Sequence, residues 1–264
     1  MTPNARNRRG FTLLELMASM TIFLIICAAM FGLLQLSQQK YSSESQMSGA
    51  FQEARLGLDQ IVRDINISGY PSQNMFSKAP TAASYALGPV AWQPGYPSNP
   101  NCQVGSTCTT PGDYDVILET DIGDGNGVSW IRYRLPANET TLYRGVAPKT
   151  AGGDPVTATS AAGVMVPLVS NVMNNPPGTL LTQITAEYPT LFPGGAPQPV
   201  FRYSCATPAG AQPCDLAPNT YNMPTLVSDV DVTLIVMTQT PDMQTKQLKL
   251  MELSGRGHRS NPNN

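Results

Sequence analysis

Histidine is almost missing from this 264-residue chain: the single one, His258, lies six residues from the end. One imidazole leaves His-based acid–base catalysis and His-containing metal sites with almost nothing to build on. Charge is scarce as well, at 13% of residues against about 25% in an average soluble protein. The 16 basic and 18 acidic side chains nearly balance, and no long Lys/Arg run occurs. The electrostatic footprint of a nucleic-acid binder is therefore missing, and nucleic acid is not an expected partner. No phosphate-binding loop and no nucleophile–base constellation is visible, so neither an enzyme nor a cofactor is expected. What is plentiful is Pro (24) and Gly (22), which excludes a helical bundle throughout, while 41% hydrophobic residues over this length suffice for a core.

The apolar residues are unevenly placed. Residues 1–10 are polar and carry Arg6, Arg8 and Arg9 with no acid. From Leu16 to Leu34 run 19 residues without a charge, a Pro, an Asn or a Gln, enough at about 1.5 Å per residue to nearly span a bilayer core of about 30 Å. The arginines precede the span and no comparable cluster follows it, so the bulk of the chain is expected outside the cytoplasm. A secretory signal peptide fits less well, because the run exceeds its usual apolar length of about 7–15 residues and no small-x-small cleavage site closes it. Glu15 sits at the head of this span, where an unpaired charge costs at least about 2.5 kcal/mol. Such a carboxylate needs a partner.

The stretch Arg8-Arg9-Gly10-Phe11-Thr12-Leu13-Leu14-Glu15-Leu16-Met17 resembles the class III signal of type IV prepilins and pseudopilins. That resemblance implies cleavage by a prepilin peptidase between Gly10 and Phe11, N-methylation of Phe11, and retention of the helix. Losing the leader leaves 13 basic against 18 acidic side chains, a formal charge of −5. It also gives Glu15 its role, since a neighbouring subunit's Phe11 amine would neutralise it when helices pack in a filament core.

Past Leu36 the chain turns polar, and then Met47, Ala50, Phe51, Ala54, Leu58, Ile61, Val62 and Ile65 recur on one face of a helix until Gly69 and Pro71 stop it. One continuous helix is expected, membrane-spanning over 11–36 and amphipathic over 37–70, with Gly32 and Gly57 as tolerated interruptions. Residues 71–112 hold seven prolines and little periodicity, and read as a long surface excursion. Strand signals follow at 115–120, 129–135, 141–144, 163–172, 180–188, 200–205, 226–238 and 245–253. Residues 147–160 and 189–224, apart from that 200–205 strand, read as loops. The expected fold is α+β: leader 1–10, a long helix, and an extracytoplasmic antiparallel-sheet domain over 71–264 with long Pro/Gly-rich loops.

Residues 54–59 through Ile65 and Gly69-Tyr70, with Trp130-Ile131-Arg132-Tyr133-Arg134-Leu135, Leu142-Tyr143-Arg144 and 166–172, are similar to PilW-type minor pilins and the related secretion pseudopilin GspJ. The resemblance implies a minor pilin in type IV pilus assembly or initiation. Its expected partners are other major and minor pilins, the prepilin peptidase and an inner-membrane assembly platform; its place is the inner membrane as a single-pass protein, then the pilus. A GspJ-like pseudopilin of type II secretion is the nearest alternative. A membrane-tethered extracytoplasmic carbohydrate-binding module or enzyme is another, with Trp92, Tyr96 and Tyr85 as exposed aromatics.

Two constellations remain. Cys27 lies in the span as a packing residue. The outer cysteines are expected to pair locally, Cys102 with Cys108 and Cys205 with Cys214, a four-cysteine zinc site being the alternative. Asp121, Asp124 and Asn126 lie in a Gly-rich acidic loop that suggests a Ca²⁺ site but fails the EF-hand template, and a plain turn is the simpler reading.

Overall fold

The computed structural model describes residues 12–76, 81–125, 127–238, 241 and 247–259. The chain opens on a single helix, α1 (Leu13–Ile67), 55 residues and about 80 Å long. Its first 24 residues are largely apolar, broken by Glu15, Ser19, Thr21 and Gln35, and exposed on nearly every side, and the helix is long and apolar enough to cross a membrane. Among the described residues, its buried positions all fall in the last third, where Ala54, Gly57, Leu58, Ile61, Asp64 and Ile65 pack against the rest of the protein.

That face is received by two antiparallel sheets. The first has five strands in order, β1 (Val90–Ala91), β2 (Asp115–Asp121), β3 (Val128–Arg134), β4 (Leu142–Pro148) and β5 (Met165–Val169). The second has four, β6 (Phe201–Thr207), β7 (Gly210–Pro213), β8 (Val227–Met237) and β9 (Leu250–His258), in the order β7-β6-β8-β9. Helix α1 lies along both, touching edge strand β5 of one sheet and edge strand β9 of the other. Val116, Leu118, Ile131 and Tyr133 from the first sheet and Phe201, Val230, Val232 and Leu234 from the second share one core with Leu58, Ile61 and Ile65. The architecture is α+β.

Two glycines make the helix fit. A Cβ at Gly57 would stand 2.2 Å from Val169 Cγ2 on β5, and one at Gly257 on β9 would stand 2.5 Å from Ile65 Cγ2. Gly57 is therefore a point of close approach, not a tolerated interruption. Gly32 has open space around it.

Several elements depart from the sequence pattern. Residues 180–188 form not a strand but helix α3 (Gly178–Glu187), because Leu180, Leu181 and Ile184 fall at helical spacing and pack on Ile235 and Met237 of β8. The loop 147–160 contains a short helix, α2 (Pro155–Thr159), started by Asp154, whose carboxylate caps the N–H groups of Val156 and Thr157. The last strand begins five residues later than expected and runs through Gly255 and Gly257, which show no apolar alternation because they face α1.

The largest correction concerns 71–112. Its described residues are not a surface excursion: Ala86, Val90, Ala91, Trp92, Cys102, Val104, Cys108 and Thr110 are all buried. The segment covers the outer face of the first sheet and reaches the main core through Cys102, Val104 and Cys108.

Candidate functional site

The N-terminal turn of α1 is where the sequence concentrates its signal. Thr12 is the N-cap, and its hydroxyl accepts the N–H of Glu15 at 3.3 Å. Glu15 reaches back, its Oε2 accepting from Thr12 N at 2.9 Å and from Thr12 Oγ1 at 3.0 Å. This is a capping box, which satisfies helix N–H groups that otherwise lack partners. The Thr-x-x-Glu spacing, inside the same stretch as the Gly-Phe signal, announces it. Among the described residues, no donor reaches Glu15 Oε1. Gly10 and Phe11 lie outside the described residues.

The helix stays rigidly tied to its domain at the other end. Asp64, 4% exposed, accepts on Oδ2 from Tyr133 Oη at 2.5 Å and from Arg144 Nη2 at 2.8 Å, and on Oδ1 from Gln60 at 2.8 Å. Tyr133 and Arg144 belong to adjacent strands of the first sheet, so one helical carboxylate fixes α1 against β3 and β4. Burial, then the Asp64 carboxylate, pushes the Tyr133 phenol far above its ordinary range. Nearer the membrane, Glu53 accepts the N–H of Ser170 at 2.7 Å. At the far end, Asn66 accepts the N–H of His258 at 2.9 Å.

The outer face of the first sheet holds a second buried polar group that sequence pattern did not reveal. Glu119 on β2 is fully buried and has four donors: Tyr96 Oη and Trp130 Nε1 on Oε1, and Leu87 N and Lys149 Nζ on Oε2. A Lys or Glu is rarely inside unless paired, and nothing in the spacing of these residues announces the pairing. Asp115 and Arg132 form a further ion pair on the same face.

The remaining expected residues are scattered. Cys102 and Cys108 are bonded, as are Cys205 and Cys214, each couple with Cα atoms 4.9 Å apart. Cys27 is half-buried in the apolar part of α1 and unbonded. Asp121 Oδ1 accepts the N–H of Gly123 at 2.8 Å, which commits it to the turn; Asp124 is exposed, and Asn126 lies outside the described residues. Among the described residues, no group of three or more His, Cys, Asp or Glu side chains is placed to hold a metal ion. Trp92 is 2% exposed and donates to the carbonyl of Asn99, so it offers no binding platform; Tyr85 and Tyr96 are half-buried around Lys149. The lone His258 places Nδ1 2.9 Å from Asp229 Oδ1, while the Ser228 hydroxyl donates to that same carboxylate.

No curated protein and no solved structure matches the chain significantly. Residues 5–31 match the family model of the prokaryotic N-terminal methylation motif. The motif supports a type IV pilin-like protein, and the exposed apolar helix that carries it fits a membrane anchor.

Proposed function

We propose that the chain is a minor pilin of the PilW kind, cleaved after Gly10 and N-methylated at Phe11, which acts in type IV pilus assembly or initiation by packing its helix against other pilins. It works by assembly and not by catalysis. The single observation that carries this reading is the first part of α1: a largely apolar run of 24 residues that the described part of the domain leaves uncovered, headed by a carboxylate one of whose oxygens meets no donor among the described residues. Lipid covers such a helix before assembly, and other pilin helices cover it afterwards. The prepilin peptidase and an inner-membrane assembly platform are the partners this sequence of events requires. The four outer cysteines serve as two short staples of the extracytoplasmic domain.

The experiment separates two roles of Glu15. Gln at the third helical position still closes a capping box, whereas Ala does not. If Glu15 pairs with a neighbour's Phe11 amine, both Glu15→Gln and Glu15→Ala leave that amine buried without its counter-ion, a loss of about 3–5 kcal/mol. Co-purification with partner pilins should then fall at least about a hundredfold for both variants, at normal membrane levels. Wild-type recruitment of Glu15→Gln would reduce Glu15 to a helix cap and sink the pairing. A strain deleted for the protein, scored for surface pili and for secreted enzymes, distinguishes the pilus from a GspJ-like secretion role.

A further inference from the structure

The Lys149–Glu119 pair is chemically unlike the other ion pairs of the domain. Its side chains are 2% and 0% exposed, whereas Asp115–Arg132, Asp115–Arg134, Asp64–Arg144 and the pairs of Asp229 and Asp231 each have at least one partner above that range. The ammonium lies 3.1 Å from Glu119 Oε2 and 2.8 Å from the carbonyl of Tyr85, between the rings of Tyr85 and Tyr96, each within 6 Å. Glu119 Oε1 is gripped from another side by the Tyr96 hydroxyl and by Trp130 Nε1 at 3.0 Å. An amine and a carboxyl group are thus held in contact, away from water, with two donors aimed at one carboxyl oxygen. Two charges kept this deep carry a desolvation cost that a neutral product would not.

We propose that Lys149 and Glu119 condense to an intramolecular amide that staples β2 to the end of β4 across β3. The step needs no oxidant, reductant or cofactor. The ammonium passes one proton to Oε2, leaving a neutral amine and a carboxylic acid. The nitrogen lone pair attacks Cδ, and the carbonyl electrons move onto Oε1, where the Tyr96 hydroxyl and the Trp130 N–H hold the developing oxyanion as donors do in acyl transfer. A second nitrogen proton moves to Oε2, the Cδ–Oε2 bond breaks with its electron pair, and one water leaves as the carbonyl re-forms. The amide keeps one N–H, which remains directed at the Tyr85 carbonyl. Burial also lowers the ammonium's hold on its proton, against the opposing pull of Glu119. Well-oriented intramolecular groups reach effective molarities of about 10⁵–10⁸ M, enough to favour a condensation that dilute amine and carboxylate do not undergo.

The link requires neither membrane insertion nor assembly, so it is tested on the full-length protein extracted in detergent. After denaturation and disulfide reduction, trypsin should fail to cut after Lys149, and the peptide 79–132 should be recovered joined to the peptide 145–202, lighter than their sum by one water. In Lys149→Arg, whose guanidinium is a far poorer nucleophile, the joined species should vanish. Wild-type protein in which trypsin releases residues 145–149 and an amine reagent labels Lys149 in most molecules would overturn the proposal. A water lost instead within 121–127, by cyclisation of Asp124 onto Gly125, with Lys149 still free, would overturn it equally.

Discussion

Replacing Asp64 tests how firmly the helix is fixed to the domain it carries. The carboxylate is 4% exposed and meets the Arg144 guanidinium and the Tyr133 hydroxyl on one oxygen and Gln60 on the other. Asp64→Ala strands a cation whose pair was buried, a change that costs about 3–5 kcal/mol when both partners are inside. The Arg144 side chain is 24% exposed and can turn part of its guanidinium to water, so the lower figure of about 3 kcal/mol applies. For a domain near two hundred residues, that is a fall in Tm of roughly 6–12 °C. Asp64→Asn keeps one oxygen to accept from Tyr133 and Arg144 but loses the charge and the acceptor for Gln60, so it should cost about 1–2 kcal/mol. The double variant Asp64→Leu with Arg144→Met removes both charges but also leaves the buried Tyr133 hydroxyl without its two partners, so it should recover part of the loss. Thermal unfolding of the detergent-solubilised protein, followed by circular dichroism, measures all three. An Asp64→Ala protein that melts with wild type, or a double variant no better than the single one, would refute the idea that this pair locks α1 to β3 and β4.

Two other perturbations have definite signs. Gly57→Ala gains about 1 kcal/mol of helix propensity but drives a Cβ to 2.2 Å from Val169 Cγ2, and overpacking of about 1–3 kcal/mol outweighs the gain; Gly49→Ala, with nothing within 4 Å, should show the gain alone in the same melting assay. Burial raises the phenol pKa of Tyr96, Tyr133 and Tyr203, and that of Tyr114 to about 12, the nearby carboxylates adding to the effect. A phenol whose folded pKa is raised contributes stability that is complete below the unfolded pKa of about 10 and is lost as pH rises through the folded value. The domain should accordingly unfold cooperatively above about pH 10, with tyrosinate absorbance appearing together with loss of structure; free titration of all ten tyrosines near pH 10 in a folded domain would contradict this.

The long helix was the most legible element, because nineteen uncharged, mostly apolar residues followed by a 3-and-4 spacing leave few alternatives. Strands β2, β3 and β8 were legible for a similar reason: each carries β-branched residues, joined on β3 by Trp130 and Tyr133, within a turn-bounded run. Helix α3 was not, since over nine residues Leu180, Leu181, Ile184 and Tyr188 satisfy either period, and only the sheet surface beneath decides. The segment 71–112 was misread because Pro and Gly erase periodicity without preventing burial. A disulfide, the short strand β1 and bonds from Asn222 to the backbone of Val104 hold it in place. At the N-terminus the Gly-Phe-Thr-Leu-Leu-Glu register was readable as chemistry. The partners of Asp64 and Glu119 lie up to 80 residues away in sequence and become neighbours only through the sheet.

The most direct measurement is the intact mass and N-terminal sequence of the protein purified from membranes of its native host. A prepilin-type subunit must begin at Phe11 and carry one methyl group on that amine. A chain that still begins at Met1, or one that begins beyond residue 30, would contradict it and remove the basis for reading Glu15 as an assembly residue.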